Sequence, residues 1–235
     1  LAQWWRFGLG GDMNGARIGI AVLAIGALAA ALSYLKKEAV ADSHRRARQI
    51  ILYYTLSRID QPIIIIGDSL TEASTLPRAV CGHPIINAGL DGASTASDLG
   101  SWLIDALDGH RAAAVLVAIG TNDALLKHSM QDFEASYAAL LTQLAGVTDH
   151  VVALGIPAVE VRGRMTAELQ AEAMKGIDAF NAVLPALAAK GGVAFIPLPP
   201  MPTPHTIDGV HLDAAGYAVW DTAVLKGVAS ACSTH

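Results

Sequence analysis

Charge is what this 235-residue chain has least of. Asp, Glu, Lys and Arg make up 16% of it, against roughly a quarter in an average soluble domain. Apolar residues reach 53%, a surplus that asks for a membrane segment, a deeply buried sheet, or both. Runs of Lys and Arg long enough to track a phosphate backbone are missing, and the net charge is −5. Nucleic acid is therefore excluded as a partner. Cysteine is scarce: Cys81 and Cys232 lie far apart with no CxxC spacing. They can form one disulfide in an oxidising compartment or stay two ordinary thiols. The second is the expectation, because free cysteine is among the most buried residue types. Internal repeats are absent, and so are low-complexity linkers apart from the Pro-rich stretch 197–204.

What the chain does have begins with eighteen uncharged residues, 18–35. As a helix they span roughly 27 Å, close to the hydrocarbon thickness of a bilayer. Arg17 precedes them and Lys36 and Lys37 follow, placed to reach the headgroups. Trp4, Trp5 and Phe7 suit an interface. The expectation is an interfacial segment at 1–15, a transmembrane helix at 16–37 and a helical stalk at 38–59, with the lipid bilayer as partner. Gly19, Gly26, Ala30 and Ser33 share one face, where small residues allow a second membrane helix to approach.

From residue 60 to 235 short apolar runs alternate with helical patterns. The strand-like runs are 63–66, 84–88, 113–119, 151–154 and 193–196; the helical stretches are 94–107, 130–144, 167–189 and 214–231. Near-continuous apolar strands alternating with helices indicate an α/β domain, with a parallel sheet of about five strands covered on both faces. Such sheets bind ligands beyond the carboxyl ends of their strands.

The segments after the strands are informative. Gly67-Asp68-Ser69-Leu70 follows the first: the glycine permits a sharp turn and Ser69 can point into the crevice, although a serine there also suits a helix cap. After the second come Asn87-Ala88-Gly89-Leu90-Asp91-Gly92, where a backbone N–H can approach a ligand unobstructed. Gly120-Thr121-Asn122-Asp123 follows the third and offers a side-chain amide, or a simple cap. Near the end, Asp208-Gly209-Val210-His211 spaces an acid and an imidazole so that one ring nitrogen can meet the carboxylate and the other a hydroxyl. Asp-Gly is also a strong turn signal. His205 is the nearest competing histidine.

These four blocks, in this order, resemble the SGNH hydrolases, the GDSL esterase/lipase family, over about residues 62–232. Ser69, Gly89, Asn122 and His211 stand at the four lettered positions. The resemblance implies a three-layer α/β/α sandwich of flavodoxin-like type and a serine esterase acting on an acyl ester. Ser69 would be nucleophile, His211 general base and Asp208 its orienting acid. The N–H groups of Ser69 and Gly89 and the amide of Asn122 would form the oxyanion hole. Asp68 and Asp123 would only hold turns. No His/Cys cluster has metal-ligand spacing, so neither metal nor other cofactor is expected. Transfer of the acyl group to a sugar would use the same residues as hydrolysis.

A second expectation from another class is an accessory subunit of a membrane complex built on such a domain. Topology is divided too. Lys36, Lys37, Arg45, Arg46 and Arg48 downstream outnumber Arg6 and Arg17 upstream, which places the domain in the cytoplasm; members of the family are often exported.

Overall fold

The computed structural model describes residues 13–232. The chain divides between Ala47 and Arg48 into two compact units. A long helix, α1 (Met13–Leu56), supplies the first unit and the opening turns of the second. The expected interfacial segment at 1–15 lies almost entirely outside the described residues, and Gly19 of the small-residue face lies among residues whose side chains are not described. Among the described residues no helix is long and apolar enough to cross a membrane. The span expected at 16–37 begins before the first described side chain, that of Leu23. From there Leu23, Ile25, Leu28, Leu32 and Leu35 are exposed along α1.

The second unit is built on β1 (Ile63–Gly67), α2 (Ser69–Glu72), β2 (Ala79–Val80), β3 (His83–Gly89), α3 (Leu99–Leu107), β4 (Ala114–Ala118), α4 (Thr121–Leu125), α5 (Met130–Leu144), β5 (Val151–Leu154), α6 (Ala167–Lys190), β6 (Ala194–Ile196) and α7 (Ala214–Cys232). The sheet has six strands in the order β2-β3-β1-β4-β5-β6. Five are the expected parallel strands. The sixth, β2, pairs antiparallel with β3 at the edge, making the sheet mixed. Two residues, Ala79 and Val80, are too few for an alternating pattern to reveal.

Four consecutive isoleucines make β1 the centre of the sheet. Ile64 and Ile66 enter one core with Leu103 of α3, Leu141 of α5 and Leu184 of α6. Ile63 and Ile65 enter the opposite core with Trp220, Val224 and Val228 of α7. Alternate side chains thus feed two faces, as a strand's period of two requires, and both faces are covered. Leu52 and Leu56 of α1 are buried in the first of these cores, so the α/β unit takes in helix turns that precede residue 60.

Register aligns the strand ends. Gly67 of β1 stands beside Gly89 of β3 on one side and Ala118 of β4 on the other. After β1 the chain builds the sheet outward on one side through β2 and β3, then crosses to the other side with β4. That reversal opens a crevice at the carboxyl ends of β1, β3 and β4.

Candidate active site

Ser69 opens α2 directly after β1. Asp68 caps this helix, its carboxylate accepting from the Leu70 N–H at 2.9 Å. As the first residue of the helix, Ser69 has an N–H with no intrahelical acceptor. Its hydroxyl oxygen lies 3.1 Å from His211 Nε2. His211 Nδ1 in turn lies 2.8 Å from Asp208 Oδ2. The other oxygen of Asp208 accepts from the N–H groups of Val210 and His211, at 3.0 and 2.9 Å, which folds the Asp-Gly-Val-His turn back on its own carboxylate. Three residues from two segments 142 positions apart therefore form one relay. Partial burial raises the Asp208 pKa, but the hydrogen bonds from the His211 ring and from the two backbone N–H groups outweigh it and hold the carboxyl down at about 2. The acid of the relay is thus an anion, which fixes the imidazole tautomer with its proton on Nδ1 and leaves Nε2 facing the hydroxyl.

His205, the competing histidine, is not at this site. It is buried with Nδ1 against Pro202 O at 2.8 Å and Nε2 against Ala158 O at 3.0 Å.

The segment after β3 requires a correction. The Gly89 N–H, expected in the oxyanion hole, donates to Asn87 Oδ1 at 3.0 Å. Gly89 is a glycine for another reason: a Cβ there would stand 2.2 Å from the backbone nitrogen of Glu72. Close packing of β3 on α2 leaves no room for a side chain there, and the N–H itself is already taken by Asn87.

Three residues later the geometry differs. The Ala93 N–H donates to Leu90 O at 3.1 Å, closing a turn around Asp91 and Gly92. Gly92 has φ +72, sits exposed, and a Cβ on it would meet nothing within 4 Å. Its N–H has no acceptor among the described residues. This exposed turn therefore offers an unclaimed donor, which Gly89, its N–H taken by Asn87, does not. The signal lay in the sequence: Asp91-Gly92 is the turn dipeptide of this block.

Asn122, near the start of α4, is half-buried, and its amide donates to Ala93 O at 2.8 Å. An amide nitrogen carries two hydrogens, so one anchors Asn122 to the glycine turn and the second remains. Asp123 beside it is fully buried. It accepts from the Thr95 N–H at 3.0 Å, from the Thr95 hydroxyl at 2.5 Å and from His128 Nδ1 at 2.9 Å. Those bonds lock the glycine turn to the start of α4.

Asp68 is buried behind Ser69. Desolvation pushes its carboxyl up to about 7, against the opposing hydrogen bonds from Leu70 and Thr121. Among the described residues no group of three or more His, Cys, Asp or Glu side chains could hold a metal ion. Cys81 was expected to be a buried thiol; it is instead exposed and disulfide-bonded. The chain's other cysteine is Cys232, whose side chain lies outside the described residues.

The profile of the GDSL-like Lipase/Acylhydrolase family matches residues 65–219. Among solved structures, a protein from Streptococcus pneumonia provisionally assigned as a platelet activating factor aligns with a TM-score of 0.68 at 22% identity, covering 83% of this chain and 98% of that one. The acetylxylan esterase Axe2 from Geobacillus stearothermophilus aligns with a TM-score of 0.54 at 17% identity, covering 72% of this chain and 94% of the other. A catalytic mutant of the same esterase gives 0.57 at 16% identity, with the same coverage. At these identities the likeness is one of fold. No match was found among curated protein sequences.

Proposed function

Because the chain belongs to the GDSL-like lipase/acylhydrolase family, we propose that it is a membrane-anchored serine esterase that removes a small acyl group from an ester. The observation that carries this reading is the relay: Ser69 Oγ 3.1 Å from His211 Nε2, with His211 Nδ1 2.8 Å from an ionised Asp208. Ser69 Oγ attacks the ester carbonyl while His211 Nε2 takes the hydroxyl proton. The resulting oxyanion is received by the N–H groups of Ser69 and Gly92 and by the second hydrogen of the Asn122 amide. His211 then protonates the leaving alcohol as the tetrahedral adduct collapses to an acyl-serine. Water attacks that acyl group with His211 again as base, the acid leaves, and the proton returns to Ser69. Asp208 stabilises the imidazolium in both halves without taking a proton itself.

The fold likeness to an acetylxylan esterase and the exposure of Asp208 and Gly92 support a short acyl group in an open site. Two features bear on location. Exposed Leu, Ile and Val side chains along α1 support anchoring in a bilayer. The disulfide at Cys81 supports an oxidising compartment, which favours the exported side over the cytoplasmic side read from flanking charge. The test is hydrolysis of p-nitrophenyl acetate by the full chain, together with labelling by a fluorophosphonate serine probe. Both activity and label vanish in Ser69→Ala. A wild-type chain that neither hydrolyses the ester nor takes the probe overturns the reading.

A further inference from the structure

The turn that carries Gly92 is gripped peptide by peptide, and one of the gripping side chains comes from outside the family segment. Arg48 stands on α1, upstream of residue 65 where the family match begins. Its guanidinium donates from Nη2 to Gly89 O at 2.7 Å and from Nε to the same oxygen at 3.1 Å. Nη2 also reaches Asn87 O at 3.1 Å and Asn87 Oδ1 at 3.3 Å. Nε lies 3.8 Å from Glu72 Oε1, both side chains being about four-fifths buried, at 22% and 21% exposure. Glu72 Oε2 accepts from the Asp91 N–H at 2.6 Å.

Taken in chain order, these contacts leave one N–H unclaimed. The peptide joining Gly89 and Leu90 is held at its oxygen by Arg48 and at its nitrogen by Gly67 O, 3.0 Å away. The next N–H, of Asp91, is held by Glu72. The N–H of Ala93 closes the turn onto Leu90 O, and the oxygen of Ala93 takes the Asn122 amide. Between them only the Gly92 N–H has no acceptor among the described residues. Arg48 also holds Asn87, whose amide nitrogen donates to Thr71 O at 2.6 Å on the nucleophile helix and whose oxygen takes the Gly89 N–H.

We propose that Arg48 is a positioning residue for the oxyanion turn: with Glu72 as intermediary it fixes the peptides before Gly92, so that this N–H points at the reacting oxygen. The inference rests on the esterase reading above and deepens it. It gives the last turns of α1 a part in the reaction, beyond burying Leu52 and Leu56. A fork of N–H groups suits the task, because two donors converge on one carbonyl oxygen while a third reaches its neighbour; a lysine ammonium lacks that geometry.

The test uses the full chain. Arg48→Ala lowers kcat on p-nitrophenyl acetate by about tenfold to a hundredfold, the scale of a misplaced catalytic donor, with KM within about twofold because ground-state binding is not what is lost. Added guanidinium chloride, far below denaturing concentration, restores part of kcat in Arg48→Ala and none in Ser69→Ala. Glu72→Gln, a gentler change, lowers kcat in the same direction. Independently of turnover, amide hydrogen exchange at Leu90, Asp91 and Ala93 quickens in Arg48→Ala while β4 and β5 keep wild-type protection. Unchanged kcat in both variants of an active enzyme, or a loss that guanidinium does not relieve, overturns the proposal. So does unchanged exchange at the turn, which reads the same contacts even if no ester is hydrolysed. Wild-type inactivity, by contrast, counts against the esterase reading alone.

Discussion

The amide of Asn122 donates to the carbonyl of Ala93 across 2.8 Å, joining the segment after β4 to the glycine turn after β3. One hydrogen bond, between residues 29 apart in sequence, thus sets the spacing of the two donors proposed for the oxyanion, the Gly92 N–H and the Asn122 amide. Asn122→Ala removes both the donor and the spacer. Loss of one oxyanion donor costs about 100- to 1,000-fold in kcat, and that is the expected range, with KM little changed. Steady-state kinetics on an aryl acetate check it.

Gly89 and Gly92 should respond to alanine in different ways. At position 89 the added Cβ meets backbone at 2.2 Å, so Gly89→Ala is expected to impair folding, by more than the roughly 1–2 kcal/mol of an alanine forced to positive φ. At position 92 the space is open but φ is +72, so Gly92→Ala is expected to fold, lose about that amount, and lose kcat as the N–H turns away. Urea denaturation ranks the two variants. Equal stability would remove the distinction between them.

Asp68 gives the fold a pH signature. Its carboxyl is raised by burial from 3.8 to about 7, so between those values the folded chain holds a proton that the unfolded chain has released. This contribution weakens the fold as pH rises from about 4 to 7 and changes little outside that window. Asp68→Asn removes it. The stability difference between variant and wild type, from thermal melts, is expected to move in the variant's favour across the window and then level. A pH-independent difference would contradict the burial-driven shift.

The disulfide at Cys81 leaves no free thiol expected in the native protein. Thiol titration of the folded chain should give a value near zero and rise after reduction. Reduction is expected to cost about 2–4 kcal/mol of stability, the usual range for a disulfide. Two reactive thiols in the untreated protein would remove the argument for an oxidising compartment.

Much of this architecture was legible from residue pattern. The run of isoleucines at 63–66, buried on both faces, marked a strand, and three of the four blocks of candidate residues followed a strand end, the fourth preceding the last helix. What escaped was local. Ala79 and Val80 make a strand only because β3 lies beside them. Between Gly89 and Gly92 the sequence offers only the Asp91-Gly92 turn dipeptide as a hint; packing against Glu72 and the reach of the Asn87 side chain separate them in the fold. The part proposed for Arg48 was hidden for the same reason, since it read as one of the basic residues flanking the apolar span until the end of β3 is seen next to it.

A double-mutant cycle decides whether Ser69 and His211 act as one unit. Ser69→Ala, His211→Ala and the combined variant are compared with wild type for kcat on p-nitrophenyl acetate. Residues acting as a unit are strongly non-additive, so the double variant is expected to be no slower than either single one, each having lost nearly all activity. Near-full turnover in Ser69→Ala, or losses that multiply in the double variant, would contradict the relay.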